Sequence, residues 1–372
     1  MKIDRARAIT VLRTAPAIIV LAFLISLARP APVLVTLGEQ QTVRSANPLA
    51  GMHTRFVDEA EPWKIKRGLE MVREMGAPWI VEFFPWSYYE KSEGVFDWRS
   101  ADRIVDHANR QGLTVIARLG FVPDWARPRE VDGQPTTFTY LNEDGYPRFA
   151  RFAAAFAAHF KGRVRHILLW NEPNLNFEWG LRSVDPAGYT ALLKQAYPAV
   201  KRANPDAIVL AGALAPTIER NRTVALDDRV YLEEMYIAGA KDAFDALAIH
   251  NYGEIAPPDA PPAADQVNFR RAELLRDVMA RHGDADKPAF ITETGWNDDP
   301  RFVNGVTPAQ RITYTLQALE YARDHWPWAR CVAFWVFKLP APAQGYRDAF
   351  TFVTPSLEPL PVYDELRAAW AR

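Results

Sequence analysis

HILLWNEPN occupies residues 166–174. Ile167, Leu168, Leu169 and Trp170 form an uncharged apolar run that stops on Asn171, Glu172 and Pro173. A run this short, closed by proline, reads as a strand buried on both faces, here over 164–170. Helix-like patterns flank it at 148–160 and 186–203. The stretch therefore predicts a strand set between helices that delivers a carboxylate where it ends.

Worked outward in both directions, the same unit recurs. Strands are expected over 50–53, 78–84, 113–119, 164–170, 207–213, 246–250, 289–292 and 331–336. Helices are expected over 63–75, 99–111, 148–160, 186–203, 226–238, 268–282 and 308–325, with a closing helix at 360–369. Met75-Gly76 and Gln111-Gly112 supply the glycine that suits a left-handed helix cap. Eight strands, each followed by a helix, predict the α/β class and a single (β/α)8 TIM barrel. A doubly wound open sheet would want GxGxxG after an early strand, and none is present. The Pro-rich stretches 256–264 and 339–343 each follow a strand and read as βα loops.

Composition narrows the function classes. The chain has 372 residues, 49% hydrophobic and 24% charged, which is ordinary for a globular protein. A net charge of −1 offers no basic face, so no nucleic-acid partner is expected. The one cysteine, Cys331, lies in the apolar run CVAFWVF and reads as a small buried hydrophobe. It excludes an intramolecular disulfide and a cysteine metal clip.

At the N-terminus, Lys2, Arg5, Arg7 and Arg13 precede a mostly apolar stretch at 15–28. A positive segment followed by an apolar one reads as an export signal, or as an anchor that tethers the protein to a membrane. The expected organisation is a signal peptide or membrane anchor at 1–37, a linker at 38–47 and the barrel at 48–372. The barrel is then exported: secreted, periplasmic or membrane-anchored outside the cytoplasm.

Active sites of such barrels gather at the C-terminal ends of the strands. Those ends carry His53; Glu82, Trp86 and Tyr88; Arg118; Asn171 and Glu172; His250, Asn251 and Tyr252; Glu293 and Trp296; Trp335 and Lys338. Carboxylates, aromatic rings and hydrogen-bonding groups at one mouth have the composition of a carbohydrate site. Cleaving a glycosidic bond needs a protonated carboxyl at the leaving oxygen and an ionised carboxylate facing the anomeric carbon. Strands 4 and 7 stand on roughly opposite sides of an eight-stranded barrel, so Glu172 and Glu293 can flank one sugar. Glu172 alone is equally a loop acid; its partner three strands later changes the reading.

The segments WNEPN (170–174), HNYG (250–253) and TETGW (292–296) resemble the retaining glycoside hydrolases of clan A, nearest to family 39 and family 5-like members. EGVFDWRSADRIVDHANRQGLTVIARLGFVPDWA (93–126) is similar to their second and third βα units, and proteins of exopolysaccharide gene clusters look alike as well. The resemblance implies Glu172 as general acid/base and Glu293 as nucleophile. It implies Asn171 as the partner of the sugar 2-hydroxyl, Tyr252 as a donor to the nucleophile and Trp335 as the sugar platform. His250, Trp296, Trp86, His53 and Arg118 complete the expected substrate-binding set, with Trp125 as a further subsite candidate. Many clan members place an Arg near the end of strand 2, where this chain has Glu82 and Phe84. Arg118 is the candidate for that part, with Glu82 as its ion-pair partner.

The expected activity is retaining hydrolysis of a β-linked poly- or oligosaccharide, with no cofactor. A non-catalytic polysaccharide-binding or assembly protein, or a transglycosylase, would use the same scaffold. A metal-dependent barrel hydrolase would want an HxH pair on strand 1, where His53 stands alone, so no metal is expected.

Overall fold

The computed structural model describes residues 35–371. Within Leu37–Arg372 the chain closes eight parallel strands into a barrel. They are β1 (Ala50–His53), β2 (Trp79–Pro85), β3 (Thr114–Gly120), β4 (His166–Leu169), β5 (Ile208–Leu214), β6 (Ala246–His250), β7 (Ala289–Thr294) and β8 (Ala329–Phe334). Neighbours in sequence are neighbours in space, and β1 closes on β8. The intervening helices are α1 (Pro62–Glu74), α2 (Arg99–Arg110), α3 (Tyr146–His159), α4 (Pro186–Ala203), α5 (Asp228–Ile237), α6 (Arg271–Arg281), α7 (Pro308–His325) and α8 (Pro361–Trp370). The predicted (β/α)8 class is the observed one.

Strand alternation divides the apolar residues into two cores. Val81, Ile116, Leu168, Leu210, Ala248, Phe290, Cys331 and Ala333 form a small cluster of buried residues distinct from the main one. Alternate residues of a strand share a face, and this set fills the barrel interior. The larger cluster, with Leu119, Phe152, Phe156 and Leu192 among its members, lies between strands and helices. Cys331, in the inner cluster, is fully buried as the sequence suggested, and burial pushes its thiol far up.

Local chemistry sets the helix ends. Thr307 and Gln310 form a reciprocal capping box at the start of α7, with Pro308 in its first turn. Asp185 caps α4 by accepting from the Gly188 N–H at 2.9 Å. Gly76 and Gly112 follow α1 and α2 with φ of +85° and +74°, as their cap positions require.

Some boundaries differ from expectation for visible reasons. β4 ends at Leu169 because Trp170 turns left-handed, with φ +77°. β8 ends at Phe334, after which the Trp335 N–H is given to Thr294 O and that of Val336 to Phe350 O. Two short hairpins, Glu90–Ser92 with Val95–Phe96 and Glu130–Val131 with Gln134–Pro135, decorate the loops after β2 and β3.

The expected export segment falls almost wholly outside the described residues. Among those described, no helix is long and apolar enough to cross a membrane. Within the stretch read as a linker, the Gln41 N–H donates to Arg110 O and that of Ala46 to Trp370 O. The buried Asn47 amide reaches Leu319 O at 3.0 Å.

Candidate active site

The WNEPN turn shows how the chain presents Glu172. The Trp170 N–H still bonds Leu119 O of β3, and the Glu172 N–H bonds Ala213 O of β5. Between these bonds Trp170 and Glu172 both take positive φ, +77° and +40°. Such conformations cost energy in non-glycine residues and persist only where the surroundings hold them. The holding groups are visible. Trp170 is buried, its Nε1–H on Glu178 O at 2.8 Å. Asn174 is buried and ties the turn to the segment after β5, through Ala215 N and O and Leu226 O.

Glu293 reaches the same space by a different device. In β7, Ile249 pairs with Ile291 but His250 pairs with Glu293, and the β7–β8 register also shifts between Ile291 and Thr294. Thr292 is thus an extra residue, a β-bulge. Phe290 faces inward, so unbroken alternation would direct Glu293 outward. The bulge reverses the order and turns its carboxylate into the mouth.

The two carboxylates meet around one imidazole. Acceptor and donor atoms of Glu172, His250 and Glu293 all lie within 4.8 Å of one another. His250 Nδ1 is 2.8 Å from Glu172 Oε1 and 3.7 Å from Glu293 Oε2. Burial opposes charge on His250, yet the two carboxylates outweigh it and raise its pKa. Glu293 also accepts from the Tyr252 hydroxyl at 2.8 Å and from Arg118 Nη1 at 3.3 Å. Burial works against its charge, but His250, His53 and Arg118 more than offset it. The Glu293 carboxyl lies well below the usual carboxylate range. It is an ionised, oriented carboxylate. Three such ligand atoms would also suit a small cation, but an arginine 3.3 Å from Glu293 opposes a second positive charge there.

Arg118 links the parts. Its Nη1 donates to Asn171 Oδ1 at 2.6 Å as well as to Glu293, and its guanidinium lies 4.5 Å over the Phe83 ring. A cavity of about 520 Å³ opens above these groups. Arg118, Asn171, Glu172, Tyr252, Glu293 and Trp335 all line it. Phe83, Phe121, Phe177, Phe302, Tyr346 and Phe350 add aromatic walls.

Several expected site residues lie elsewhere. His53 and His250 are buried beneath the carboxylates instead of facing the cavity. His53 Nε2 lies 3.3 Å from Glu293 without the alignment of a hydrogen bond, and burial pushes its pKa down to about 3. Trp86 is a core residue: its Nε1–H bonds Glu90 and its ring stacks on Phe152. Trp296 is also buried, bonded to Ala256 O and packed on Phe269 behind the Tyr252-Gly253 segment. Glu82 is no partner for Arg118. It sits on the outer side of β2, where Thr54 Oγ1 and the N–H groups of Phe56 and Val57 satisfy it. Lys338 is buried against Glu59 at 2.7 Å, and Tyr88 is exposed near Asp58.

Two acids in the cavity escaped the sequence reading. Glu178 sits on the 3-10 turn Asn176–Trp179, which buries Trp179 in the core. Burial and the Glu172 charge push the Glu178 carboxyl up to about 7, while Arg118 and the Asn171 amide pull the other way. Glu254, raised by burial and bonded to Asn304, lines the same cavity from the loop after β6 with φ +52°. No spacing in the sequence marks either one, because each direction is set by an irregular loop.

This is a (β/α)8 barrel with a carboxylate pair at its C-terminal mouth, and solved structures share that fold. The barrel is similar to a family 39 glycoside hydrolase from the gut symbiont Bacteroides cellulosilyticus WH2 (20% identity, TM-score 0.70), over 87% of this chain and 63% of that one. It is similar to a monomeric β-xylosidase from Caulobacter crescentus CB15 (17%, TM-score 0.61; 89% and 71%). An exo-β-1,4-mannosidase from Opitutaceae bacterium strain TAV5 matches likewise (16%, TM-score 0.60; 90% and 62%). The chain thus spans less than two thirds of the first and third of these proteins. No protein-family model and no curated protein matches the sequence.

Proposed function

We propose that the protein is a retaining glycoside hydrolase acting on a β-linked poly- or oligosaccharide. The observation that carries the reading is the spacing of Glu172 and Glu293, whose facing oxygens lie within 4.8 Å. Retaining enzymes hold their carboxyl groups about 5–5.5 Å apart, whereas inverting ones leave about 6.5–9.5 Å for a water. Glu293, ionised and held by Tyr252 and Arg118, attacks the anomeric carbon as the glycosidic bond breaks. Glu172 delivers its proton to the leaving oxygen. Water, deprotonated by Glu172, then opens the glycosyl ester and restores both groups. Asn171, its Oδ1 held by Arg118 and its amide toward Glu178, stands beside Glu172 where it meets the sugar 2-hydroxyl. Trp335 supplies a ring for the sugar face. The barrels it resembles include proteins described as a β-xylosidase and an exo-β-mannosidase, which supports the β-linked class. The basic and apolar N-terminal stretch supports export, on the side where such polymers are met.

The test is a 2-deoxy-2-fluoro β-glycoside with an activated leaving group. It should inactivate the protein and leave its sugar on Glu293, as read by peptide mass spectrometry. Fresh product should have the β configuration by NMR. An α product, or a label on another residue, overturns the mechanism.

A further inference from the structure

We propose that the groove beside the mouth, lined by Lys91, Trp125, Arg127 and Arg129, is a binding subsite for an anionic sugar unit of a glycan chain, one bearing a uronate-type carboxylate. It rests on the glycosidase reading only for the ligand's being a glycan.

Position is the first argument. The Ser87 N–H donates to Phe121 O at 2.9 Å, so the groove's edge is stitched to a residue of the cavity wall. Pro123–Arg129 then continue directly from Phe121 along the groove. A chain leaving the cavity over Phe121 arrives there.

Charge is the second. Arg127 spends its Nη2 on Asp124 and its Nη1 on Thr136, which cancels the groove's one acid. Its Nε is buried and unpartnered. Among the described residues, Lys91 and Arg129 have no carboxylate within ion-pair range, and Lys91 lies 5.7 Å over the Tyr88 ring. Two unpaired cations in a chain of net charge −1 are free to take a carboxylate.

The aromatic residue is the third. Trp125 is half-buried, with its Nε1–H fixed on Glu90 O at 2.8 Å and its edge against Trp86. A pinned indole beside two cations matches a sugar unit with an apolar C–H face and a charged substituent. A nucleic acid would need a longer basic track than this loop provides.

Binding of the full chain to oligo-β-(1→4)-glucuronate and to the neutral cello-oligosaccharide of equal length, measured by calorimetry at low and physiological salt, tests the proposal. The uronate should bind more tightly, with an advantage that shrinks as salt rises. Lys91→Ala with Arg129→Ala should weaken uronate binding about fivefold to tenfold and leave the neutral glycan unchanged. Trp125→Ala should weaken both. Equal affinity for the two glycans overturns the proposal, as does uronate binding that survives the double variant. Loss of uronate binding in Glu293→Gln would move the ligand into the cavity and also overturn it. A single-stranded oligonucleotide binding as tightly as the uronate would reduce the groove to a general polyanion patch. Uronate binding in a protein without hydrolase activity would sink the glycosidase reading and leave the subsite standing.

Discussion

His250 Nδ1 stands 2.8 Å from Glu172 Oε1, inside the barrel and out of reach of solvent. An imidazole in that position reports the charge of its neighbours. Burial alone would lower its pKa, and the nearby carboxylates reverse the sign. The C2 proton of His250, followed by NMR, should titrate above the usual histidine value of about 6.5. In Glu172→Gln the negative charge is lost while a neutral oxygen acceptor is kept, so the His250 pKa should fall. A His250 that titrates identically in the variant would show that the two groups are not coupled.

His53 provides the opposite case. Its folded pKa is near 3, because burial disfavours the imidazolium beside Arg118 and His250. Between pH 3 and about 6.5 the unfolded chain therefore binds a proton here that the folded chain does not. Stability from this residue is fully present above 6.5 and declines as pH falls. Replacing it by Gln removes that dependence. Urea midpoints at pH 7, 5 and 4 should show wild type losing ground to His53→Gln by up to about 1.4 kcal/mol per pH unit. A constant difference across that range would refute the assignment.

Tyr252 donates to Glu293 at 2.8 Å, and its own acidity is suppressed by burial and by the two carboxylates. It therefore stays a donor throughout the working pH range. A hydrogen bond to a charged group is worth about 1.5–3 kcal/mol, roughly 10- to 150-fold in rate if it acts on the reacting carboxylate. Tyr252→Phe should lower kcat by that order and leave KM nearly unchanged on an aryl β-glycoside. A change confined to KM would make Tyr252 a sugar contact instead.

The eight strands and their helices were legible because buried parallel strands and amphipathic helices have different apolar periods. Glu172 and Glu293 were legible as a pair at strand ends. Their direction was not. Strict alternation along β7 sends Glu293 outward, and only the extra residue Thr292 brings it in. Glu82, Trp86 and Trp296 were misplaced for a related reason. Position at a strand end says how far along the barrel a residue lies, not which side of the wall it takes. Glu82 alternates with Val81 and Phe83 and so faces the helices. Glu178 and Glu254 depend on left-handed or 3-10 loop geometry that no periodicity encodes.

That distinction between wall and mouth separates three tryptophans by experiment. Trp86 is fully buried between the one-turn helix Trp86–Tyr89 and α3, stacked on Phe152 at 5.6 Å. Trp296 is equally enclosed, and a Cβ added at Gly253 would come within 2.2 Å of its ring. Neither ring lines the cavity, whereas Trp335 does, with its edge toward Phe350 at 5.3 Å. Emptying a buried tryptophan site costs about 3–5 kcal/mol through lost transfer energy and an unfilled cavity. Trp86→Ala and Trp296→Ala should therefore lower the Tm by several degrees. The fraction that remains folded should keep its KM. Trp335→Ala should do the reverse, raising KM on an aryl β-glycoside by tenfold or more with little change in Tm. Thermal scans run beside Michaelis curves separate the two classes. If Trp86→Ala raised KM at unchanged Tm, its assignment to the core would fail and the sequence reading would be restored.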